Sequence, residues 1–283
     1  MLDMFQLNFM VNALIASVII GLLLSYLGIH VVGRGIVFVD LALGQISSLG
    51  VAFAQFLRFG EIWLPIVFTL VGAFLLSFIH IRDRRLKLEA IIGIIYVVAS
   101  AVTVLIISKT PHGEANIQEV LFGALLAVTP EEIRNLLIVF GLLGLLHFVF
   151  QKHIFRITKM LEFGELEEMG WKERGLNFFF YMSIGLAIVF AVEVGGVLPV
   201  FSYLVVPAVS AVMVGIRKWV IIVLALLNSV VAGFFGLWFS YTFDYPAGPS
   251  IVAIFGVIFI IAVLVRYLRR KWFRISFETE LQG

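Results

Sequence analysis

The 283-residue chain contains no cysteine, which excludes disulfides, thiolate nucleophiles and Cys-based zinc sites. Charge is scarce, at 13% of residues, where a soluble domain carries about 25%. No stretch matches GxxxxGK[ST], so nucleotide hydrolysis is not expected of this chain. Its five histidines, His30, His80, His112, His147 and His153, form no His-x-x-x-His pair, and no HExxH or paired-Asp constellation suggests an intramembrane enzyme. The N-terminal MLDMFQLN lacks the basic region of a cleaved signal peptide and leads into an apolar run too long for one, so it reads as a retained span. There is no low-complexity tract. Residues 1–283 read as a single transmembrane domain.

What is present is oil. Hydrophobic residues make up 62% of the chain and the mean hydropathy is +1.11. The 28 phenylalanines read as lipid-facing and core filler. The fold class expected is all-α: a polytopic integral membrane protein. A crossing helix needs roughly 20 apolar residues. Windows at 7–32, 36–57, 62–81, 90–108, 135–150, 176–192, 197–215, 219–241 and 251–265 meet or approach that length. Nine crossings are expected; eight, with one segment re-entrant, is the alternative. Pro199 and Pro207 predict a kinked or broken seventh span. Of the basic residues, 17 fall on one side of this arrangement and three, Arg58, Lys109 and Arg134, on the other. The positive-inside rule then places the N-terminus outside and the C-terminus inside.

Two connections stand out. Residues 151–175 (QKHIFRITKMLEFGELEEMGWKERG) hold 10 of the chain's 38 charged residues. Such an island cannot lie in hydrocarbon and must reach water. It is either a solvated linker or a docking element for a cytoplasmic partner. Glu165, Glu167 and Glu168 offer acceptors to a basic partner, and Gly170 stands where a helix C-terminal glycine of positive φ is expected. On the other side, 120–128 (VLFGALLAV) is too short to span and reads as an interfacial or re-entrant helix. It is followed by Thr129-Pro130-Glu131-Glu132, a helix start with cap, first-turn proline and carboxylates at the positive end.

Four pieces in order carry a family resemblance: IVFVDLALGQISSLGV at 36–51, QEVLFGALLAV at 118–128, the acidic loop at 162–170 ending in glycine, and GGVLPVFSYLVVPAVSA at 195–211. Together they resemble the membrane subunit of bacterial ABC importers for zinc, manganese or iron, from about residue 10 to about residue 265. The resemblance implies a type II ABC importer-like permease that works as a homodimer in the bacterial inner membrane. Its partners would be a cytoplasmic ATPase subunit that docks at 151–175, an external solute-binding protein and membrane lipid, with no nucleic acid. The chain itself would be a transporter subunit and not an enzyme. It would bind no cofactor; ATP sits on the partner subunit, and the divalent metal ion is the transported substrate.

The second span departs from the family pattern of an Asp followed four residues later by a His. Aligned through Gly50, the His falls at Gln45 and the Asp at Leu41, with Asp40 one residue earlier. Asp40 and Gln45 diverge by about 140° around a helix. In the acidic loop, Leu166 stands where the family has a small alanine. Asp40, Gln45, Ser47, Ser48 and Glu193 are the candidate translocation-path residues, and Asp40 is the one candidate metal contact. Each has a structural alternative: pairing with Arg34 or snorkelling to the inner interface for Asp40, helix packing for Gln45, Ser47 and Ser48, and a solvated loop for Glu193. The competing function is an ion-coupled secondary transporter of a small polar solute, which calls for inverted repeats and several intramembrane acids.

Overall fold

The computed structural model describes residues 2–79, 88–109, 123–162 and 170–280, with side chains from Met4 to Arg269. Nine α-helices are described, and no strand is found among the described residues. They are α1 (Asn8–Gly33), α2 (Val39–Leu57), α3 (Trp63–Phe78), α4 (Leu88–Ile107), α5 (Pro130–Glu162), α6 (Trp171–Gly195), α7 (Val197–Val214), α8 (Lys218–Phe243) and α9 (Ala247–Glu280). Eight are long and apolar enough to cross a membrane. The exception is α3, whose 16 residues rise only about 24 Å.

Packing shows that α3 nevertheless carries the chain from one end of the bundle to the other. At its start, Pro65 and Ile66 share a cavity wall with Val189 and Glu193, near the end of α6. Midway, Thr69 and Ala73 meet Gly185. At its end, Phe74 and Phe78 contact Phe178. The helix therefore runs antiparallel to α6 across 15 residues of it, about 22 Å. It packs against α2 in the same sense, Gly50 against Pro65 and Gly72 against Ile46. Among the described residues, eight helices are thus long enough to span, and α3 is a shorter ninth that runs alongside α2 and α6.

The centre of the bundle is α1, which packs against α5, α7 and α8. Its approach to α7 is so close that a Cβ on Gly28 would overlap the Leu204 carbonyl. Ser17 and Tyr203 share a buried hydroxyl–hydroxyl hydrogen bond between the same helices. In hydrocarbon, where lipid competes equally for apolar surface, such small-residue contacts and interhelical hydrogen bonds supply the association.

Four sequence expectations need correction. The seventh helix is not broken: α7 runs without interruption through Pro207, with Pro199 in its first turn, where a missing N–H costs nothing. The island at 151–175 is not a free loop. α5 continues through Glu162 and α6 begins at Trp171, so only 163–169, including Glu165, Glu167 and Glu168, lies outside the described residues. Gly170 ends no helix: it precedes the first turn of α6 at φ −73°, ψ 178°, extended backbone open to any residue. The described part of 120–128 holds a single 3-10 turn, Leu125–Ala127, and no longer helix. There Gly123 has φ +73° and lies so close to Gly195 and Gly196 that a Cβ would overlap their backbone. The helix start at Thr129 is as expected. The Thr129 hydroxyl accepts from the Glu132 N–H at 3.2 Å, and the Thr129 N–H donates back to the Glu132 carboxylate at 2.7 Å.

Gly28→Leu should destabilise the protein by about 1–3 kcal/mol or more, because the overlap is with backbone. Gly141→Ala, whose Cβ meets nothing within 4 Å, should leave stability unchanged. Thermal unfolding of the two variants in the same detergent checks the contrast.

Candidate functional site

A cavity of about 240 Å³ opens between α2, α3 and α6 at the end of the bundle that holds Glu193. Its polar wall is Ser47, Ser48 and Gln55 from α2, Glu61 from the α2–α3 connection and Glu193 from the last turn of α6. Val51, Pro65, Val189 and Val192 supply the apolar remainder. The Ser48 hydroxyl donates to the Gly44 carbonyl at 2.9 Å. Ser47 is 2% exposed and makes no hydrogen bond among the described residues.

Helical geometry extends this wall along α2. Asp40, Gly44, Ser47 and Val51 recur at intervals that keep them within about 60° of one another at 100° per residue. Ser47 and Val51 line the cavity. One turn further in, Gly44 faces the Val192 and Val197 side chains. Another turn beyond is Asp40, 3% exposed, with neither carboxylate oxygen hydrogen-bonded. A polar chamber, an apolar neck and a buried carboxylate thus follow one another on one helix face. Gln45, about 160° from Ser47, is buried elsewhere and does not line the chamber.

Of the five candidate path residues, the structure brings Ser47, Ser48 and Glu193 together and leaves Asp40 and Gln45 outside that cavity. Glu193 belongs to α6 and not to a loop. Asp40 neither snorkels nor pairs with Arg34, since it is buried and makes no ion pair among the described residues. No group of three or more His, Asp or Glu side chains able to hold a metal is found among the described residues. Gln55 and Glu61 were missed by sequence reasoning; both sit at a helix end, where polar residues are ordinary and carry no signal.

The opposite end carries a second polar layer. Arg34, at the end of α1, is 9% exposed. Its Nη1 donates to the Asn177 Oδ1 at 2.8 Å, its Nε donates to the Thr158 hydroxyl at 3.2 Å, and its guanidinium lies 3.6 Å from the Phe180 ring centroid. The His30 Nδ1 is 2.9 Å from the same Thr158 hydroxyl. Thr158 belongs to α5 and Asn177 to α6, so Arg34 joins α1 to both arms of the hairpin at 151–175. One turn beyond, Arg156 and Glu173 form an ion pair across the same arms. In the sequence Arg34 registers only as a topological charge, because its partners lie 124 and 143 residues away.

The model of the ABC 3 transport family matches residues 6–266. The manganese transport system membrane protein MntC of Listeria innocua is 26% identical, covering 92% of this chain and 91% of its own length. The chelated iron transport system membrane protein YfeC of Yersinia pestis is 26% identical, covering 92% and 87%. Among solved structures, PsaBC from Streptococcus pneumoniae in complex with Fab superposes with a TM-score of 0.79 at 25% identity, covering 95% of this chain and 98% of that one.

Arg34→Lys keeps the charge but loses the planar fork and the ring stack. It should cost about 1–3 kcal/mol and loosen the hairpin, read as a lower unfolding temperature and faster tryptic cleavage at Lys159 and Lys172. Wild-type cleavage rates in this variant would remove Arg34 as the clamp.

Proposed function

The chain belongs to the ABC 3 transport family, and from that premise we propose that it is the membrane-spanning subunit of an ATP-driven importer for divalent metal ions. In this reading two copies form the path and a separate cytoplasmic chain hydrolyses ATP. An external binding protein delivers the ion. The names of the similar manganese and iron transport proteins support the substrate class. The excess of basic residues at the Arg34 end supports an inward orientation for that end. The chamber with Glu193 then faces outward, and the C-terminus lies on the cytoplasmic side of the bacterial inner membrane.

The observation that carries the mechanism is the span of α6. One end of this helix holds Asn177 and Glu173, in the hairpin expected to meet the ATPase. The other end holds Val192 and Glu193, at the neck and chamber. A shift of the hairpin driven by ATP binding moves Val192 relative to Gly44 on α2 and opens or closes the neck. An ion entering the chamber meets oxygen donors: Ser47, Ser48, Gln55, Glu61 and Glu193, then Asp40 beyond the neck. An all-oxygen set suits manganese better than zinc, which favours imidazole and thiolate. The chain thus acts as a gated conduit, with Asp40 the residue assigned to contact the metal.

Three measurements test this. Glu193→Gln and Asp40→Asn should each lower cellular manganese uptake while membrane levels and co-purification with the ATPase stay at wild type; normal uptake by both variants would defeat the path assignment. Because the chain has no cysteine, single-cysteine labelling is clean. Gly248→Cys should label from outside intact cells and Lys172→Cys only after permeabilisation. Separately, Glu165→Lys, Glu167→Lys and Glu168→Lys combined should abolish retention of the ATPase in detergent pull-down. Full retention would return the hairpin to the status of a solvated linker.

A further inference from the structure

A second cavity, of about 380 Å³, opens between α1, α5 and α8 and shares no lining residue with the polar chamber. Its walls are apolar, with Ile19, Leu22, Leu137, Phe148 and Leu226 among them. Two glycines of α5 hollow it out. A Cβ at Gly141 would meet nothing within 4 Å, and one at Gly144 only the Leu23 Cδ1 at 4.0 Å. At Gly28, Gly50 and Gly185 a glycine admits a neighbouring helix; among the described residues no element enters here. The Tyr26 hydroxyl in the wall is buried and has no hydrogen-bond partner.

The groove changes character at its Arg34 end. Residues Gly144, Phe148, Gln151, Phe155 and Lys159 follow one another at three- and four-residue steps, so one stripe of α5 leads out of the groove to a cation. Gln151 and Trp219 form the rim. Lys218 places its Nζ 3.5 Å from the Phe155 ring centroid and 5.4 Å from that of Trp219. Lys159 lies close enough to add to the same positive field. Neither lysine makes an ion pair among the described residues.

We propose that this groove binds an anionic phospholipid, with an acyl chain between α1, α5 and α8 and the phosphate at Lys159 and Lys218. An apolar trough in membrane-spanning helices that ends in two unneutralised cations beside a rim tryptophan matches that ligand's amphipathic shape. A second copy of the chain fits less well, because a two-fold contact through this patch returns the same two cations to the same contact.

The test uses the permease co-purified with its ATPase in nanodiscs of equal phosphatidylglycerol and phosphatidylethanolamine, read by native mass spectrometry. Wild type should retain phosphatidylglycerol in preference. The Lys159→Ala, Lys218→Ala pair should reduce that preference roughly tenfold, from the attraction of two lysines for an anionic headgroup. Gly141→Leu, which has open space for its side chain, should lose the retained lipid at unchanged yield. Equal retention of both lipids by wild type, or phosphatidylglycerol retention indifferent to both variants, overturns the proposal. So does cross-linking of Phe148→Cys between two copies, which would show a second copy covering the groove.

Discussion

A guanidinium buried without a carboxylate sets the terms for the rest of this structure. Arg34 is held by a hydroxyl, an amide oxygen and an aromatic face, none of which carries a formal charge, while its buried Nη2 has no hydrogen-bond partner among the described residues. Hydrogen bonds to a charged group contribute about 1.5–3 kcal/mol each, and a desolvated cation–π contact about 2 kcal/mol. Those gains offset desolvation only while all three partners hold their places. Moving α5 or α6 away from α1 strands a buried cation, which is far costlier than losing an ordinary contact. The hairpin roots are therefore tied to the central helix. A force applied beyond them must either move α1 with them or exchange Arg34's partners.

That constraint explains why the packing elsewhere is so close. With α5 and α6 fixed to α1 at one end, motion along α6 is transmitted to the other end only if the helix behaves as a rod. Its flank against α3 is built for this. A Cβ on Gly185 would fall within 2.9 Å of the Ala73 Cβ, so the two backbones touch and leave no soft side chains to absorb a shift. On the far side, Gly44 lets the Val192 and Val197 side chains close onto α2. Small residues thus do two jobs. Between α1 and α7, at Gly28, they fix a frame; between α2 and α6 they leave a neck whose width depends on helix position.

The architecture was legible because composition and length control it. Hydrocarbon demands continuous apolar helix, so the nine windows and the cap at Thr129 follow from local chemistry alone. The errors fall where local and distant information compete. Pro207 suggested a kinked or broken helix, yet the helix continues through it. Gly170 was read as a helix stop because a charged segment preceded it; its extended φ serves the start of α6 instead. Asp40 and Arg34 invited pairing, being six residues apart and opposite in charge. Arg34 had better-placed partners on α5 and α6 that no local pattern announces. The chamber was half legible: Ser47, Ser48 and Glu193 were singled out, whereas Gln55 and Glu61 join it only through the turn that brings α3 back along α2.

The distribution of donors across that chamber links binding to conformation. Ser47, Ser48 and Gln55 ride on α2, Glu61 on the connection to α3, and Glu193 on α6. No single element holds a complete set of ligands, so the affinity of the chamber for a cation is a property of the helix arrangement and not of any one helix. A shift of α6 that widens the neck also withdraws Glu193 from the α2 hydroxyls. A ligand can move an equilibrium only by its differential affinity for the two states. On the proposed reading, the state with Glu193 drawn in would hold the ion, and a state with α6 displaced would release it. A conduit needs such reversibility, since a site that binds too tightly does not conduct. If the proposed conduit works in this way, the rod that opens the neck is also the one that weakens the grip on the ion.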